Sequence, residues 1–250
     1  MKDVTFIFPV YNLNTKDRVN RLSEAYKSLG KGAKAVFVGK KEDLDLVTFK
    51  GAVKIENDDT SYPAQVMKAV NLVETKFFSV IEQDDYVDER WYNMLDEYIK
   101  QDNDEMFAYL PLTELVDFTN EGVIGYANEA FWAASFSEQI GYLDIHALEL
   151  YLAFNVHGGV FKTDEFKALG GLKTSMKLSF WYEFLFRALY KQKKIFVIPR
   201  IGYYHRVNVP ESLTEQYTKT MSEKEADWWI ELAKKEYFFP QDRKKTYEEE

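Results

Sequence analysis

Apolar and polar positions follow two distinct rhythms along the first hundred residues. Compact apolar runs at 4–10, 33–38, 53–56 and 77–81 have the length and texture of buried strands. Between them, Val19, Leu22, Ala25, Tyr26 and Leu29 recur at helical spacing over 17–29 and stop at Gly30. Val66, Ala69, Val70 and Val73 do the same over 62–74, and a further helix is predicted over 89–100. Strand and helix alternating in this way predict an α/β fold, with a mainly parallel sheet and helices on its faces.

The rhythm loosens after residue 100. Residues 107–112 read as a strand, whereas 127–141 are aromatic-rich and fit neither period. Order returns with a strand over 155–161 around Gly158-Gly159 and a short helix over 163–169 stopped by Gly170-Gly171. A strongly apolar helix over 179–191 and a strand over 194–198 follow, leading to Tyr203-Tyr204-His205-Arg206. Ser222 and Glu225 have the spacing of a capping box. The helix it opens runs through about Glu236, with Ala226, Trp229, Ala233 and Tyr237 as its docking stripe. Residues 244–250 are expected to fray. There is neither an internal repeat nor a long linker, so the pattern describes one large domain with a helical tail.

Composition narrows the class. With 46% hydrophobic and 16% aromatic residues, the 250-residue chain folds around a substantial core. The absence of Cys rules out disulfides and thiolate metal sites and fits a reducing compartment. No apolar run approaches the roughly 18 residues of a membrane span, and the start of the chain lacks a signal-peptide pattern, so a cytoplasmic location is expected. A net charge of −9 argues against wholesale nucleic-acid binding. Residues 160–206 run the other way, with ten Lys or Arg against three Asp or Glu. That segment suggests a local anionic partner, or else a solvated basic face.

The candidate chemistry is concentrated at Glu82-Gln83-Asp84-Asp85, where the run 77–81 ends in three acids within four residues. A buried strand that delivers carboxylates at its C-terminal end presents them to the ligand crevice of an open α/β sheet. Hard oxygen donors there suit Mg²⁺ or Mn²⁺, and such an ion can hold a diphosphate.

Four segments, in order, carry a family resemblance. Phe6-Ile7-Phe8-Pro9-Val10-Tyr11-Asn12 resembles the opening strand of family 2 glycosyltransferases, which have the GT-A fold. Tyr62-Pro63-Ala64 through Asn71 to Asp84-Asp85 resembles that family's helix, strand and acidic metal motif. Residues 161–172, ending Gly170-Gly171-Leu172, resemble its later Gly-Gly-Phe run. Tyr204-His205-Arg206-Val207-Asn208 followed by Ser212-Leu213-Thr214 resembles its closing pattern. The resemblance implies a Rossmann-like GT-A domain over about 1–214. Its nucleotide-sugar half would be about 1–110 and its acceptor half about 111–214, with a helical extension over 215–250. It further implies sugar transfer from a nucleotide donor, UDP-linked by family habit and usually with inversion. In that reading Asp84 and Asp85 hold the metal. Pro9, Tyr11, Asn12, Asp58 and Arg206 contact the donor, with Tyr11 stacking on the base and Arg206 reaching the pyrophosphate.

Two departures stand out. The family's second strand ends in acids that read the nucleoside, but here the stretch is Val38-Gly39-Lys40-Lys41, which leaves Asp58 or Asp59 as substitutes. The family's catalytic base belongs to a Glu-Asp pair whose positions are Phe180 and Trp181 here. Glu183, on an apolar helix that would raise its pKa, is the nearest carboxylate, and it could equally pair with Arg187 at i+4. His157 and His146 are further candidates.

The leading expectation is therefore a metal-dependent glycosyltransferase, with a non-catalytic nucleotide-sugar-binding protein as the alternative. Nucleotidyl transfer fits less well, because Asn12-Leu13-Asn14-Thr15 is not a Gly-rich basic loop. The expected acceptor is a saccharide or an anion served by the basic segment, either lipid or polymer phosphate or DNA. The DNA option rests on a resemblance to the DNA-modifying glycosyltransferases of tailed phages, which act on hydroxymethylated cytosine. Oligomeric state is not readable from the sequence.

Overall fold

The computed structural model describes residues 3–101, 104–133, 139–151 and 154–247. Nine strands are found among them: β1 (Val4–Pro9), β2 (Lys34–Gly39), β3 (Val53–Glu56), β4 (Phe77–Val80), β5 (Tyr86–Val87), β6 (Ala108–Asp117), β7 (Val123–Ala127), β8 (Val160–Lys162) and β9 (Ile195–Val207). The helices are α1 (Lys16–Ser28), α2 (Lys41–Asp45), α3 (Tyr62–Val70), α4 (Trp91–Gln101), α5 (Ile145–Leu150), α6 (Thr163–Ala168), α7 (Phe180–Tyr190), α8 (Leu213–Thr220) and α9 (Glu223–Glu236).

The strands form one sheet in the order β3-β2-β1-β4-β8-β6-β9-β5, with β7 paired to β6. β3, β2, β1 and β4 are mutually parallel, and β6 pairs parallel with β9. β8 is antiparallel to both β4 and β6, which inverts one strand at the centre. This is the mainly parallel α/β sheet of the GT-A fold that the sequence predicts.

Each sheet face carries its own core. α1 and α4 cover one face, where Leu22, Ala25, Trp91 and Leu95 pack on Phe8, Phe37 and Tyr109. α3, α7 and α9 cover the other, where Val66, Phe184 and Trp229 pack with Phe78, Phe161 and Phe166. The capping box forms, with Ser222 Oγ accepting from Glu225 N at 3.2 Å. Trp229 and Ala233 are wholly buried in the second core. A buried Trp and a phenylalanine cluster of this kind contribute about 1.5–3 kcal/mol per large side chain, which fastens the tail to the domain.

Three expectations change. The strand expected over 155–161 is only Val160–Lys162, and its first half is a turn. At Gly158, φ is +73° and an added Cβ would stand 2.5 Å from Tyr203 Cδ2, so this turn requires glycine. The runs at 194–198 and 203–206 are one strand, β9, whose register against β6 slips between Pro111 and Thr113. The aromatic-rich stretch 127–141 holds a 3₁₀ turn, Glu129–Trp132, and residues 134–138 of it lie outside the described residues. The expected fraying at 244–250 concerns partly undescribed residues, 248–250.

Candidate active site

β1 and β4 end side by side, with Ile81 N donating to Ile7 O at 2.9 Å. The acidic loop leaves β4 at this point, where parallel strands open a crevice. β9 crosses the loop from the other side. Tyr203 OH accepts from Glu82 N at 3.0 Å, and Asp85 is held twice: Oδ1 accepts from Arg206 N at 2.8 Å and Oδ2 faces His205 Nδ1 at 2.8 Å. Asp85 is 0% exposed and does not line the cavity. Both its oxygens already have protein partners, and these tie the loop to β9. Arg206 is similarly engaged. Its guanidinium donates to Asp84 O at 2.9 Å and to Glu24 at 3.0 Å, and it lies over the Tyr86 ring.

Asp84 is the carboxylate left over. It is buried, lines the cavity, and has no ion-pair partner among the described residues. Burial, then the charges of Asp85 and Glu82, push it up to about 7. Glu82 moves the opposite way, to about 2: burial works to raise it, but His157 at 3.0 Å and then His205 outweigh that. Burial disfavours a charged His205, yet Asp85, Glu82 and Asp84 overcome it and push the imidazole up to about 10.

His157 sits in the turn held by Gly158. Asn155 Oδ1 lies 3.0 Å from its Nδ1 and also accepts from His157 N at 2.7 Å. Nδ1 therefore carries a proton, and Nε2 lies between Tyr62 OH at 2.7 Å and Glu82 Oε1 at 3.0 Å. Burial and the charge on Glu82 raise Tyr62 well above its ordinary range, which keeps the phenol a donor to that nitrogen. The triad Tyr62–His157–Glu82 is thus a hydrogen-bonded chain on the cavity wall. In the sequence, His157 stood out as a candidate base and Glu82 as part of the acidic triplet, whereas nothing in the sequence gave Tyr62 a role in catalysis.

Two cavities meet at Tyr11. One, of about 570 Å³, holds Glu82, Asp84, His157 and His205; the other, of about 810 Å³, is lined by Asn12, Lys40, Asp43 and Asp59. Tyr11, Tyr62, Leu213 and Tyr217 border both. Leu213 N donates to Tyr11 OH at 3.1 Å, which moors the ring under α8. Pro9 lines the first cavity, as expected. Asp58 is exposed and lines neither cavity, whereas its neighbour Asp59 does. The acid missing after β2 is present four residues later as Asp43, whose carboxylate accepts from Asn12 N at 3.0 Å and Leu13 N at 2.6 Å. It shapes the loop after β1 and forces Asn12 into a left-handed conformation, φ 55°.

Glu183 is not brought to the site. It is 0% exposed, takes two hydrogen bonds from Arg187, at 2.9 and 2.8 Å, and lies 3.1 Å from Lys173 Nζ. It faces the interior of the second core, and Phe180 and Trp181 line the cavity instead. Its i+4 partner, the competing reading from the sequence, claims it. His146 is exposed on α5 and lines neither cavity.

A hard divalent cation fits the residues present. Three carboxylates face two imidazoles, Asp84 has no ion-pair partner among the described residues, and one ligand atom from each of Glu82, Asp85 and His205 lies within 4.8 Å of the others. The excess negative charge in a desolvated crevice is what such an ion relieves.

Part of the basic segment is paired. Lys173 pairs with Glu183 and Glu236, Lys177 with Glu225, Lys193 with Glu165 and Lys194 with Glu105. Glu165 and Glu183 belong to the segment itself, whereas Glu105, Glu225 and Glu236 come from distant parts of the chain and reduce the local charge excess.

The sequence matches no protein-family model and no curated protein. The structure resembles S. aureus TarS 1-349 with a TM-score of 0.58 at 16% identity, over 95% of this chain and 72% of that one. The complex of the same protein with UDP gives 0.61 at 16% identity, covering 94% and 72%, and that with UDP-GlcNAc gives 0.58 at 15%, covering 95% and 73%. The likeness is one of fold, and it lends no support to the phage DNA-modifying resemblance. No described helix is long and apolar enough to cross a membrane.

Proposed function

We propose that the protein is a glycosyltransferase that moves a sugar from a UDP-linked donor to an acceptor hydroxyl. The observation that carries this reading is Asp84: an unpaired, buried carboxylate on the floor of a crevice at the strand ends of a GT-A fold. Structural neighbours of the same fold were solved with UDP and UDP-GlcNAc, which supports the donor. The 810 Å³ cavity, with Tyr11 at its edge, is assigned to the nucleoside and the 570 Å³ cavity to the sugar and acceptor.

Glu82, Asp85 and His205, with one ligand atom of each within 4.8 Å of the others, would hold Mn²⁺ or Mg²⁺, with Asp84 next in the chain facing the cavity. That ion supplies neutralisation of the diphosphate's charge. The chain's own contribution is proton removal. The acceptor oxygen bonds to the anomeric carbon as the bond to the diphosphate breaks, and UDP leaves with the electron pair. The hydroxyl proton passes to the Tyr62 oxygen while the Tyr62 proton passes to His157 Nε2. Glu82, 3.0 Å away, then pairs with the imidazolium. One displacement of this kind inverts the anomeric centre.

The test is turnover of UDP-GlcNAc with Mn²⁺. His157→Gln and Tyr62→Phe are expected to lower the rate by about 10²–10⁴ while UDP still binds. Unchanged rates in both variants would remove the relay. A second reading, a nucleotide-sugar-binding protein without catalysis, is favoured by Phe180 and Trp181 at the positions of the family's acid pair. UDP binding with neither transfer nor donor hydrolysis would establish it.

A further inference from the structure

We propose that the acceptor is an uncharged hydroxyl compound with an apolar body, alkyl or aryl, and that this body lies on the wall built by Leu178, Phe180, Trp181 and Ile230. The inference rests on the glycosyl-transfer reading and names the substrate class of the same cavity.

The first argument is the chemistry of the wall. All four residues line the 570 Å³ cavity, opposite Glu82, Asp84 and His205. α7 supplies Phe180 and Trp181, and α9 closes over them with Ile230. The Phe180 ring stacks on Tyr62 at 5.3 Å between centroids, so the apolar surface leads directly to the hydroxyl that begins the proton chain. A compound seated there buries its carbon skeleton and directs its hydroxyl at Tyr62. Aliphatic Leu178 and Ile230 offer no hydrogen bonds to the outer hydroxyls of a bare sugar, but each buried methylene of an alkyl group gains about 0.8 kcal/mol.

The second argument is charge. Among the described residues, each basic side chain lining the cavity already faces a carboxylate: His157 faces Glu82, His205 faces Asp85 and Arg206 faces Glu24. Lys177, the nearest exposed lysine on the chain to this wall, pairs with Glu225. Glu215 on the lining pairs with Lys219. A phosphate on the acceptor would face Asp84 and Glu82 and find no unpaired cation among the described lining residues, and an unpaired desolvated charge is costly.

In the transfer step the acceptor oxygen forms the new glycosidic bond, the anomeric bond to UDP breaks, and the proton leaves through Tyr62 to His157. An O-glycoside of the apolar alcohol and UDP are the products.

The experiment is calorimetric titration of the full chain, saturated with UDP and Mn²⁺, with hexyl β-D-glucopyranoside, glucose and inorganic polyphosphate. Hexyl glucoside is expected to bind at least 10-fold tighter than glucose, and polyphosphate not at all. Ile230→Glu and, independently, Leu178→Gln are expected to weaken hexyl glucoside at least 10-fold while UDP affinity changes less than twofold. Circular dichroism melts confirm that both variants fold. Equal affinity for glucose and hexyl glucoside, tighter binding of polyphosphate, or insensitivity to both substitutions overturns the proposal while the donor reading stands. Absence of UDP binding in the unmodified chain overturns the underlying reading and this proposal with it.

Discussion

The protein buries two clusters of charge, and they are built on opposite plans. Behind α7, Glu183 and Glu236 meet Lys173 and Arg187, and every charged group finds an opposite charge within 4 Å. At the end of β4, Glu82, Asp84 and Asp85 meet His157 and His205, and Asp84 has no ion-pair partner among the described residues. The first cluster is closed, faces the core, and joins α7 to α9. The second opens onto a cavity and retains negative charge. A buried ionisable group signals chemistry when its charge is left uncompensated in reach of a ligand; when it is fully paired away from a cavity, it signals architecture.

The largest test of this contrast is Glu183→Gln. Removing the carboxylate leaves Arg187 buried without its counterion and Lys173 with only Glu236 at 3.9 Å, which is expected to destabilise the fold by about 3–5 kcal/mol in chemical denaturation. A stable Glu183→Gln protein with only its turnover impaired would break the comparison and restore Glu183 as a base.

Asp85→Asn comes next. It weakens the grip on Arg206 N and His205 Nδ1, a loss of about 1–3 kcal/mol read from the same denaturation curves. Retained stability would show that the loop is held to β9 by other contacts.

Asp84→Asn sharpens the contrast from the open side. Mn²⁺ affinity is expected to fall at least 10-fold, since a hard ligand and its charge are lost. Without added metal, the melting temperature is expected to hold or rise, because a repelled buried carboxylate has gone. A loss of stability equal to that of Asp85→Asn would mean that Asp84 is structural after all.

The smallest effect belongs to the half-exposed rim. Burial works to raise the Glu165 carboxyl, but Lys193 and Lys162 outweigh it and hold it below its ordinary 4.5. The carboxylate therefore adds stability above that value and loses it as pH falls through the lowered one. Glu165→Gln is expected to cost under about 1 kcal/mol at pH 7 and progressively less as pH falls below 4.5. A pH-independent cost would assign the effect to packing.

Much of the fold was legible in the chain. Apolar runs at 4–10, 33–38 and 77–81 became β1, β2 and β4, and the stripes over 17–29 and 62–74 became α1 and α3, because local period and burial agree there. The acidic loop was legible too, as an abrupt end to a buried strand. What stayed hidden was pairing. Asp43 carries no signal in the sequence, and only the fold sets it against the amides of Asn12 and Leu13. The lysines of 160–206 read as a basic segment, and only the fold pairs Lys173, Lys177 and Lys194 with Glu236, Glu225 and Glu105 from elsewhere in the chain.

The sequence by itself determined the elements, the sheet class and the strand end at which carboxylates gather, since these follow from hydrophobic periodicity and chain direction. Tertiary structure alone decided which carboxylate is free. Asp84 and Asp85 are adjacent and chemically alike, yet β9, more than a hundred residues later, neutralises one and leaves the other facing the cavity. Charge compensation acts over a few ångströms in space, irrespective of separation along the chain, so composition and spacing carry no record of it.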